Sequence, residues 1–118
     1  MKKINKDKQI RVRCWVDIDG EKFFGPGRVK LLKLIEETGS IAKASRRMGM
    51  SYKKAWVMID DMNSKVSDPF VIAKKGGQKG GGTELTEPGR KVVKAFDRLS
   101  QKIDSIIGKE KELLELIG

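Results

Sequence analysis

The 118-residue chain is long enough for one folded domain with its own hydrophobic core. Its 26 lysines and arginines outnumber its 16 aspartates and glutamates, and the net charge of +10 predicts a polyanionic partner. With no histidine and a single cysteine, Cys14, the sequence offers no zinc finger, no intramolecular disulfide and no histidine-based catalysis. We therefore expect a binding protein that needs no cofactor and is not an enzyme.

The N-terminus lacks the features of an export signal. The basic residues at its start are not followed by an apolar run of signal-peptide length, and no stretch of the sequence is apolar for long enough to span a bilayer. We expect a cytoplasmic protein with no membrane partner, whose residues 1–8 form a flexible charged tail.

A β-hairpin is predicted near the N-terminus. Apolar and polar residues alternate from Ile10 to Ile18, as they do in a half-buried strand. Asp19-Gly20 then favours a two-residue turn. Glu21 to Phe24 would form the returning strand, with Phe23 or Phe24 entering the core.

Three helices with the spacing of a helix-turn-helix follow. The first starts at Gly25-Pro26-Gly27 and ends at Thr38-Gly39. Ser40 caps the second helix and Ser51 caps the third, with Gly49 in the turn between them. Apolar residues recur at helical spacing on the inner faces: Val29, Leu31, Leu32, Leu34 and Ile35, then Ile41, Ala44 and Met48, then Ala55, Ile59 and Met62.

The third helix is polarised along its length, which is typical of a DNA recognition helix. Lys53 and Lys54 lie in its first turn, where the helix dipole also favours anions, whereas Asp60 and Asp61 farther along should keep that half away from phosphates. From residue 40 to residue 82, nine lysines and arginines stand against three aspartates, a balance of +6. Because this segment holds more than half of the net charge, DNA binding should weaken steeply with salt.

Two aromatic residues of the third helix have alternative interpretations. Trp56 is adjacent to Ala55 and close in the helix to Ile59, so we interpret it as part of the core, with stacking on bases as the alternative. Tyr52 lies nearer the start of the helix and is the better candidate for a DNA contact.

The next segment has the layout of a wing. Strands are predicted at Phe70–Lys75 and Thr83–Leu85, joined by the glycine-rich loop Gly76–Gly82. The loop lacks the Lys-Ser/Thr that a nucleotide phosphate-binding loop requires after its last glycine. We interpret it as a mobile wing tip that lies close to DNA, the alternative being a disordered loop without a role.

The last helix, capped by Thr86, carries a heptad-like apolar stripe that is longer than one small domain needs for its own core. Gly108 should break or kink it. We expect this helix to pair two copies of the chain through a set of apolar residues: Val92, Phe96, Leu99, Ile103 and Ile106.

These segments resemble the N-terminal DNA-binding domain of the ModE-type molybdate-responsive transcriptional regulators. The likeness covers about Gly27 to Leu99 and rests on these motifs: Ser51-Tyr52-Lys53-Lys54-Ala55-Trp56, Asp60-x-Met62-Asn63, Asp68-Pro69, the glycine-rich wing and Leu85-Thr86-x-x-Gly89. A looser likeness to the winged helix-turn-helix of LysR-type regulators covers the same region. The resemblance implies a winged helix-turn-helix that dimerises through its terminal helix and binds a palindromic operator. The oxyanion sensor of the family is a separate C-terminal module for which this chain has no room, so we expect no molybdate or tungstate effector on it.

The sequence therefore predicts a mainly α protein with small β elements. We expect a flexible tail at 1–8, a winged helix-turn-helix with an N-terminal hairpin at 9–87, and a dimerisation helix at 88–118. Its partners would be double-stranded DNA and a second copy of the chain, and its function sequence-specific transcriptional regulation. The alternative is a nonspecific architectural protein that binds DNA or RNA. The residues expected to contact DNA are Ser40, Lys43, Ser51, Tyr52, Lys53, Lys54, Val57, Lys74, Lys75, Gln78 and Lys79.

Overall fold

The fold is mainly helical, with two small antiparallel hairpins. The computed structural model describes residues 7–77 and 80–118, and of residues 75–77, 80 and 81 it describes the backbone alone. In chain order the elements are β1 (Val16–Ile18), β2 (Glu21–Phe24), α1 (Pro26–Thr38), α2 (Ile41–Met48), α3 (Tyr52–Ser64), β3 (Val71–Gly77), β4 (Gly80–Leu85), α4 (Glu87–Gly108) and α5 (Glu112–Ile117). The strand pairs β1–β2 and β3–β4 form separate sheets. This arrangement confirms the predicted winged helix-turn-helix with an N-terminal hairpin and a long C-terminal helix.

The apolar core lies between α1, α2 and α3 and is closed by both hairpins and the start of α4. The inward-facing residues predicted for the three helices are buried, except Leu34 and Met48, which are partly buried. Both Phe23 and Phe24 reach the core. The ring of Phe24 meets those of Phe70 and Phe96 edge-on, at centroid distances of 6.0 and 5.6 Å. One aromatic cluster thus joins the N-terminal hairpin, the base of the wing and α4.

The helix boundaries agree with the predicted caps. The Ser40 hydroxyl accepts a hydrogen bond from the Lys43 N–H at 3.1 Å, and the Ser51 hydroxyl accepts one from the Lys54 N–H at 3.0 Å. Between these caps Gly49 adopts a φ of 68°, a left-handed conformation that glycine reaches without a side-chain clash. The angle between α2 and α3 is therefore fixed by local interactions.

The predicted strand from Ile10 to Ile18 is mostly absent, since β1 contains only Val16–Ile18 and residues 7–15 have no regular secondary structure. The returning strand β2 has four residues because Pro26 begins α1 directly after it, so it cannot pair with a longer partner. The alternating pattern also fails to produce burial, as Val12 and Val16 remain about half exposed. Of the tail expected at residues 1–8, residues 1–6 lie outside the described part of the chain.

The first turns of α4 pack on the helical core, and the rest of the helix extends beyond that core with the N-terminal segment beside it: Cys14 shares a small cleft with Ile103, and the Lys8 ammonium donates to the Leu114 carbonyl at 3.0 Å. Val93 is buried, and Val92 and Phe96 are partly buried against the core, whereas Leu99 is 44% and Ile106 72% exposed. The helix ends at Gly108, as the glycine predicted. The molecule is accordingly elongated, with principal extents of 69 × 29 × 22 Å. No helix in the described residues has the length and apolar character needed to cross a membrane.

Candidate nucleic-acid interface

The N-terminal half of α3 projects from the core with a basic and apolar outer surface. Ala55, Ile59 and Met62 are buried and hold the inner face of the helix. The five residues of this segment predicted to contact DNA are all exposed: Ser51, Tyr52, Lys53, Lys54 and Val57. The surface expected to read DNA is thus available in the folded chain.

The exposed surface of α3 has two edges. Tyr52 and Trp56 lie one turn apart on the edge that faces the wing, with their rings perpendicular and 6.5 Å apart. On the other edge, Met58 and Asp61 face the N-terminal hairpin and the start of α1. Consecutive residues are separated by about 100° around a helix axis. Lys53 and Lys54 therefore point to different sides of the recognition surface.

Of the two carboxylates expected to repel phosphates, Asp60 and Asp61, the second is engaged in ion pairs within the protein. The Asp61 carboxylate pairs with Lys65 at 2.8 Å and with Arg28 at 2.6 Å. Hydrogen bonds from Lys65, and then from Arg28, hold the pKa of Asp61 below its usual value of 3.8. Arg28 also donates to the Phe23 carbonyl at 2.7 Å. Asp61 therefore ties α3 to α1 and β2, and the exposed Asp60 is the carboxylate left to repel phosphates.

Asn63 fixes the base of the wing to the end of α3. Its Oδ1 accepts hydrogen bonds from the N–H groups of Phe70 at 2.9 Å and Val71 at 3.3 Å, and its Nδ2 donates to the Val71 carbonyl at 2.9 Å. On the other strand, the Thr86 N–H donates to the Phe70 carbonyl at 2.9 Å. The side chain of Asn63 thus acts as an extra pairing partner for the start of β3. This explains physically why an asparagine follows Met62 in the motif.

The wing also contacts the turn between α1 and α2. The Thr83 N–H donates to the Gly39 carbonyl at 2.9 Å. A Cβ atom at Gly82 would lie 2.5 Å from that same carbonyl oxygen, so only glycine permits the approach. Since Gly39 directly precedes the Ser40 cap, the wing and the start of α2 are held together.

A cleft of about 590 Å³ opens between α3, the start of α2 and the wing. Its side chains include Lys43 from α2, Tyr52 and Trp56 from α3, and Ile72 from β3. Trp56 is 46% exposed, so its interpretation as a core residue is wrong. The reason is its angular position: Ala55 and Ile59 turn toward α1 and α2, whereas Trp56 lies one step around the helix, where the wing leaves an opening.

Of the other six residues predicted to contact DNA, three have side chains that the structure describes and three do not. Ser40 is partly buried and its hydroxyl caps α2, Lys43 lies exposed at the cleft, and Lys74 is exposed on β3. The contacts predicted for the side chains of Lys75, Gln78 and Lys79 lie outside the described residues. Trp56 is not among the residues predicted to contact DNA, although stacking on bases was its alternative interpretation and its spacing of four residues from Tyr52 places the two on one face of α3.

Metal ligands do not come together in the part of the chain that the structure describes. Groups of three or more His, Cys, Asp or Glu side chains that could hold a metal ion are not found among those residues. The surface formed by the start of α3 and the cleft presents lysines, hydroxyls, main-chain amides and aromatic rings, which are groups that proteins use to contact nucleic acid.

Most of the chain has recognisable relatives among characterised proteins. It is 37% identical over 107 residues to the molybdenum transport protein ModE of Azotobacter vinelandii, and 41% identical over 92 residues to the transcriptional regulator ModE of Yersinia pestis. It is 34% identical over 93 residues to the DNA-binding transcriptional dual regulator ModE of Escherichia coli (strain K12). These matches cover 81%, 78% and 79% of this chain, but only 40%, 35% and 36% of the respective relatives. The chain therefore spans well under half the length of the curated relatives it matches. No model of a known protein family matches it.

Proposed function

We propose that this chain, which is a homologue of the ModE transcriptional regulators over most of its own length, binds specific DNA sequences and regulates transcription. The observation that carries the proposal is the exposed, basic N-terminal half of α3, which lies beside a wing tied to both α2 and α3. A helix so exposed is able to enter the major groove while the wing lies along the flanking strand.

In this proposal the first turn of α3 leads into the groove. The Ser51 hydroxyl oxygen accepts from the Lys54 N–H, so its own proton is free to be donated to a phosphate oxygen. Lys53 and Lys54 donate to guanine O6 and N7 or to phosphates, each on its own side of the helix. Tyr52 and Val57 supply apolar contacts beside them.

Contacts outside α3 position the head on the duplex. Lys43 at the cleft and Lys74 on β3 are exposed cations. Contacts of this kind go to the sugar–phosphate backbone and fix register without reading sequence. Lys75, Gln78 and Lys79 at the wing tip belong to the same proposed set.

We further propose that two heads are paired through residues 88–118, with residues 9–87 as the DNA-binding unit. The support is the run of exposed apolar side chains beyond the first turns of α4, among them Leu99, Ile106, Leu113, Leu116 and Ile117. Exposed apolar surface of this extent marks an interaction site. Two paired heads would read half-sites about one helical turn, or a multiple of it, apart.

The proposal is tested by the ratio of two affinities. A duplex is selected from a random library with the purified chain, and its dissociation constant is compared with that of a scrambled duplex at moderate salt. A sequence-specific regulator is expected to prefer the selected duplex by about a thousandfold or more. Similar affinities for both duplexes, or for an RNA duplex, would instead support the nonspecific architectural alternative.

A further inference from the structure

The cleft between α3 and the wing combines an apolar floor with the exposed Lys43 at its edge. Ile59 and Val71 are buried at its base, while Trp56 and Ile72 stand 46% and 42% exposed along its sides. Among the described residues that line the cleft, Lys43 carries the charge and none is acidic. An occupant should therefore present both apolar surface and negative charge.

The two tryptophans of the chain have similar exposure but different surroundings. Trp15, 43% exposed, lies against the backbone of Gly25, and the ammonium of Lys22 sits 4.3 Å from the centroid of its ring. Trp56 has the edge of Tyr52 as its aromatic neighbour and otherwise borders the open cleft. Tryptophan combines a large apolar ring with an N–H donor, and side chains of this kind are enriched where partners bind.

The backbone of nucleic acid has the chemistry that this cleft requires. Each nucleotide exposes an apolar face of its deoxyribose beside an anionic phosphate. A strand in the cleft would place sugar against the rings of Trp56 and Tyr52, and phosphate toward Lys43 and the indole N–H. The wing would form the outer wall, because it is held to Gly39 and to Asn63 by the hydrogen bonds described above.

We propose that this cleft binds one sugar–phosphate strand of the DNA duplex and that Trp56 is a contact residue that determines affinity rather than sequence preference. The inference rests on the proposed DNA-binding function and adds a site and a residue to it. It replaces both the core interpretation of Trp56 and the alternative of stacking on bases with a contact to the sugar–phosphate backbone.

The experiment uses Trp15→Phe, in which Trp56 is the one remaining tryptophan of the chain. Fluorescently labelled duplex reports binding by anisotropy, and acrylamide quenching of the emission reports access to Trp56 at the same titration points. At saturation, quenching of Trp56 should fall severalfold, and its emission should change in parallel with the anisotropy.

Substitution of Trp56 provides the second readout. Trp56→Ala should weaken binding to the selected duplex and to a scrambled duplex by a similar factor, about tenfold or more. Trp56→Phe, which retains a ring but not the N–H, should lose less. Trp15→Phe should bind as the wild type does. Because Trp56 is half exposed, unfolding midpoints of all three variants should remain near the wild-type value, which separates lost contact from lost fold.

Three outcomes distinguish a failure of DNA binding from a failure of the role proposed for the cleft and Trp56. If anisotropy shows no binding of any duplex, the proposed DNA-binding function fails, and this inference fails with it. If Trp15→Phe binds DNA while Trp56 stays fully accessible to acrylamide, the strand does not occupy the cleft. If Trp56→Ala loses affinity for the selected duplex alone, the residue reads bases, and its assignment to the backbone strand is wrong.

Discussion

At the scale of single residues, Asp61 shows how one side chain orients the recognition helix. Its carboxylate joins Lys65 on its own helix to Arg28 on α1, and Arg28 in turn holds the Phe23 carbonyl of β2. These side chains are between about a fifth and two fifths exposed, so solvent screens the pairing only in part. The charge of Asp61 therefore serves the fold rather than the surface.

We predict that Asp61→Asn lowers the free energy of unfolding by about 1 kcal/mol at neutral pH. Because the folded-state pKa of Asp61 lies below 3.8, the ionised carboxylate stabilises the fold above that value, and this stabilisation is lost as the pH falls through the lowered pKa. The difference between wild type and variant should be full above about pH 5 and should shrink in more acidic solution. Urea unfolding across this range measures it.

Asp60→Asn is the matched control, since Asp60 is exposed and its neighbour carries the ion pairs. It should change the free energy of unfolding by less than about 0.5 kcal/mol at every pH. Equal effects of the two substitutions would show that Asp61 has no special structural role.

Individual residues also show what the sequence can predict. The caps Ser40, Ser51 and Thr86 were predictable because a cap depends on a hydroxyl and an N–H three residues later, which is local chemistry. The exposure of Trp56 was not predictable. Periodicity placed this residue next to the core, and only the position of the wing decides whether that edge of α3 is covered. The exposure of Trp56 at the cleft thus depends on tertiary structure.

At the scale of elements, the wing and the recognition helix behave as one unit. Asn63 joins the end of α3 to the start of β3, and the contact of Gly82 and Thr83 with Gly39 joins β4 to the turn before α2. The wing is therefore held at both of its strands. Its direction relative to α3 follows from these two attachments.

We predict that Asn63→Ala destabilises the fold by about 2 kcal/mol, because three hydrogen bonds are lost and partly buried main-chain groups are left without partners. Thermal unfolding measures the effect. Ser64→Ala is the control, since Ser64 is exposed and its hydroxyl donates only to the Asp61 carbonyl of its own helix. A variant at Asn63 as stable as the one at Ser64 would contradict the proposed role of the asparagine.

The elements were predicted unevenly from the sequence. The three helices were found because apolar periodicity, capping residues and glycines agree along these segments. The wing strands were found but predicted too short, since β3 continues to Gly77 and β4 begins at Gly80, inside the stretch Gly76–Gly82 that was interpreted as a loop because glycines carry no strand pattern. The N-terminal strand was predicted too long because alternation from Ile10 onward says nothing about the length of its partner. The four residues of β2 limit the pairing, and that limit comes from Pro26 at the start of the next helix.

At the scale of the whole molecule, the chain consists of a compact head and a long projecting helix. The residues of the heptad-like stripe, which was predicted to pair two copies of the chain, lie in different surroundings. Val92 and Phe96 pack partly against the head, and Ile103 is partly buried beside the N-terminal segment, whereas Leu99 and Ile106 are exposed. The sequence could not make this division, since the same spacing serves packing within one chain and between two.

We predict that Ile106→Lys dissociates the proposed dimer, because it places a charge in an apolar interface. Sedimentation velocity should show a monomer, and affinity for the selected duplex should fall as the second half-site is lost. The control Ser105→Lys introduces the same charge at an exposed neighbour, on a different face of α4, and should remain dimeric. A monomeric wild type would contradict pairing through this helix.

We propose above that the first turn of α3 reads DNA. Two charge-matched double variants test this proposal most directly. Lys53→Ala/Lys54→Ala and Lys102→Ala/Lys109→Ala each remove two exposed positive charges, the first pair from α3 and the second from the last turns of α4 and the residue that follows it. Both are measured for affinity to the selected and the scrambled duplex at one moderate salt concentration. We expect the α3 variant to lose about a hundredfold in affinity and most of its preference for the selected duplex, whereas the α4 variant should change by a few-fold and keep its preference. Equal losses of affinity in both variants, or an undiminished preference of the α3 variant for the selected duplex, would show that the first turn of α3 does not read DNA.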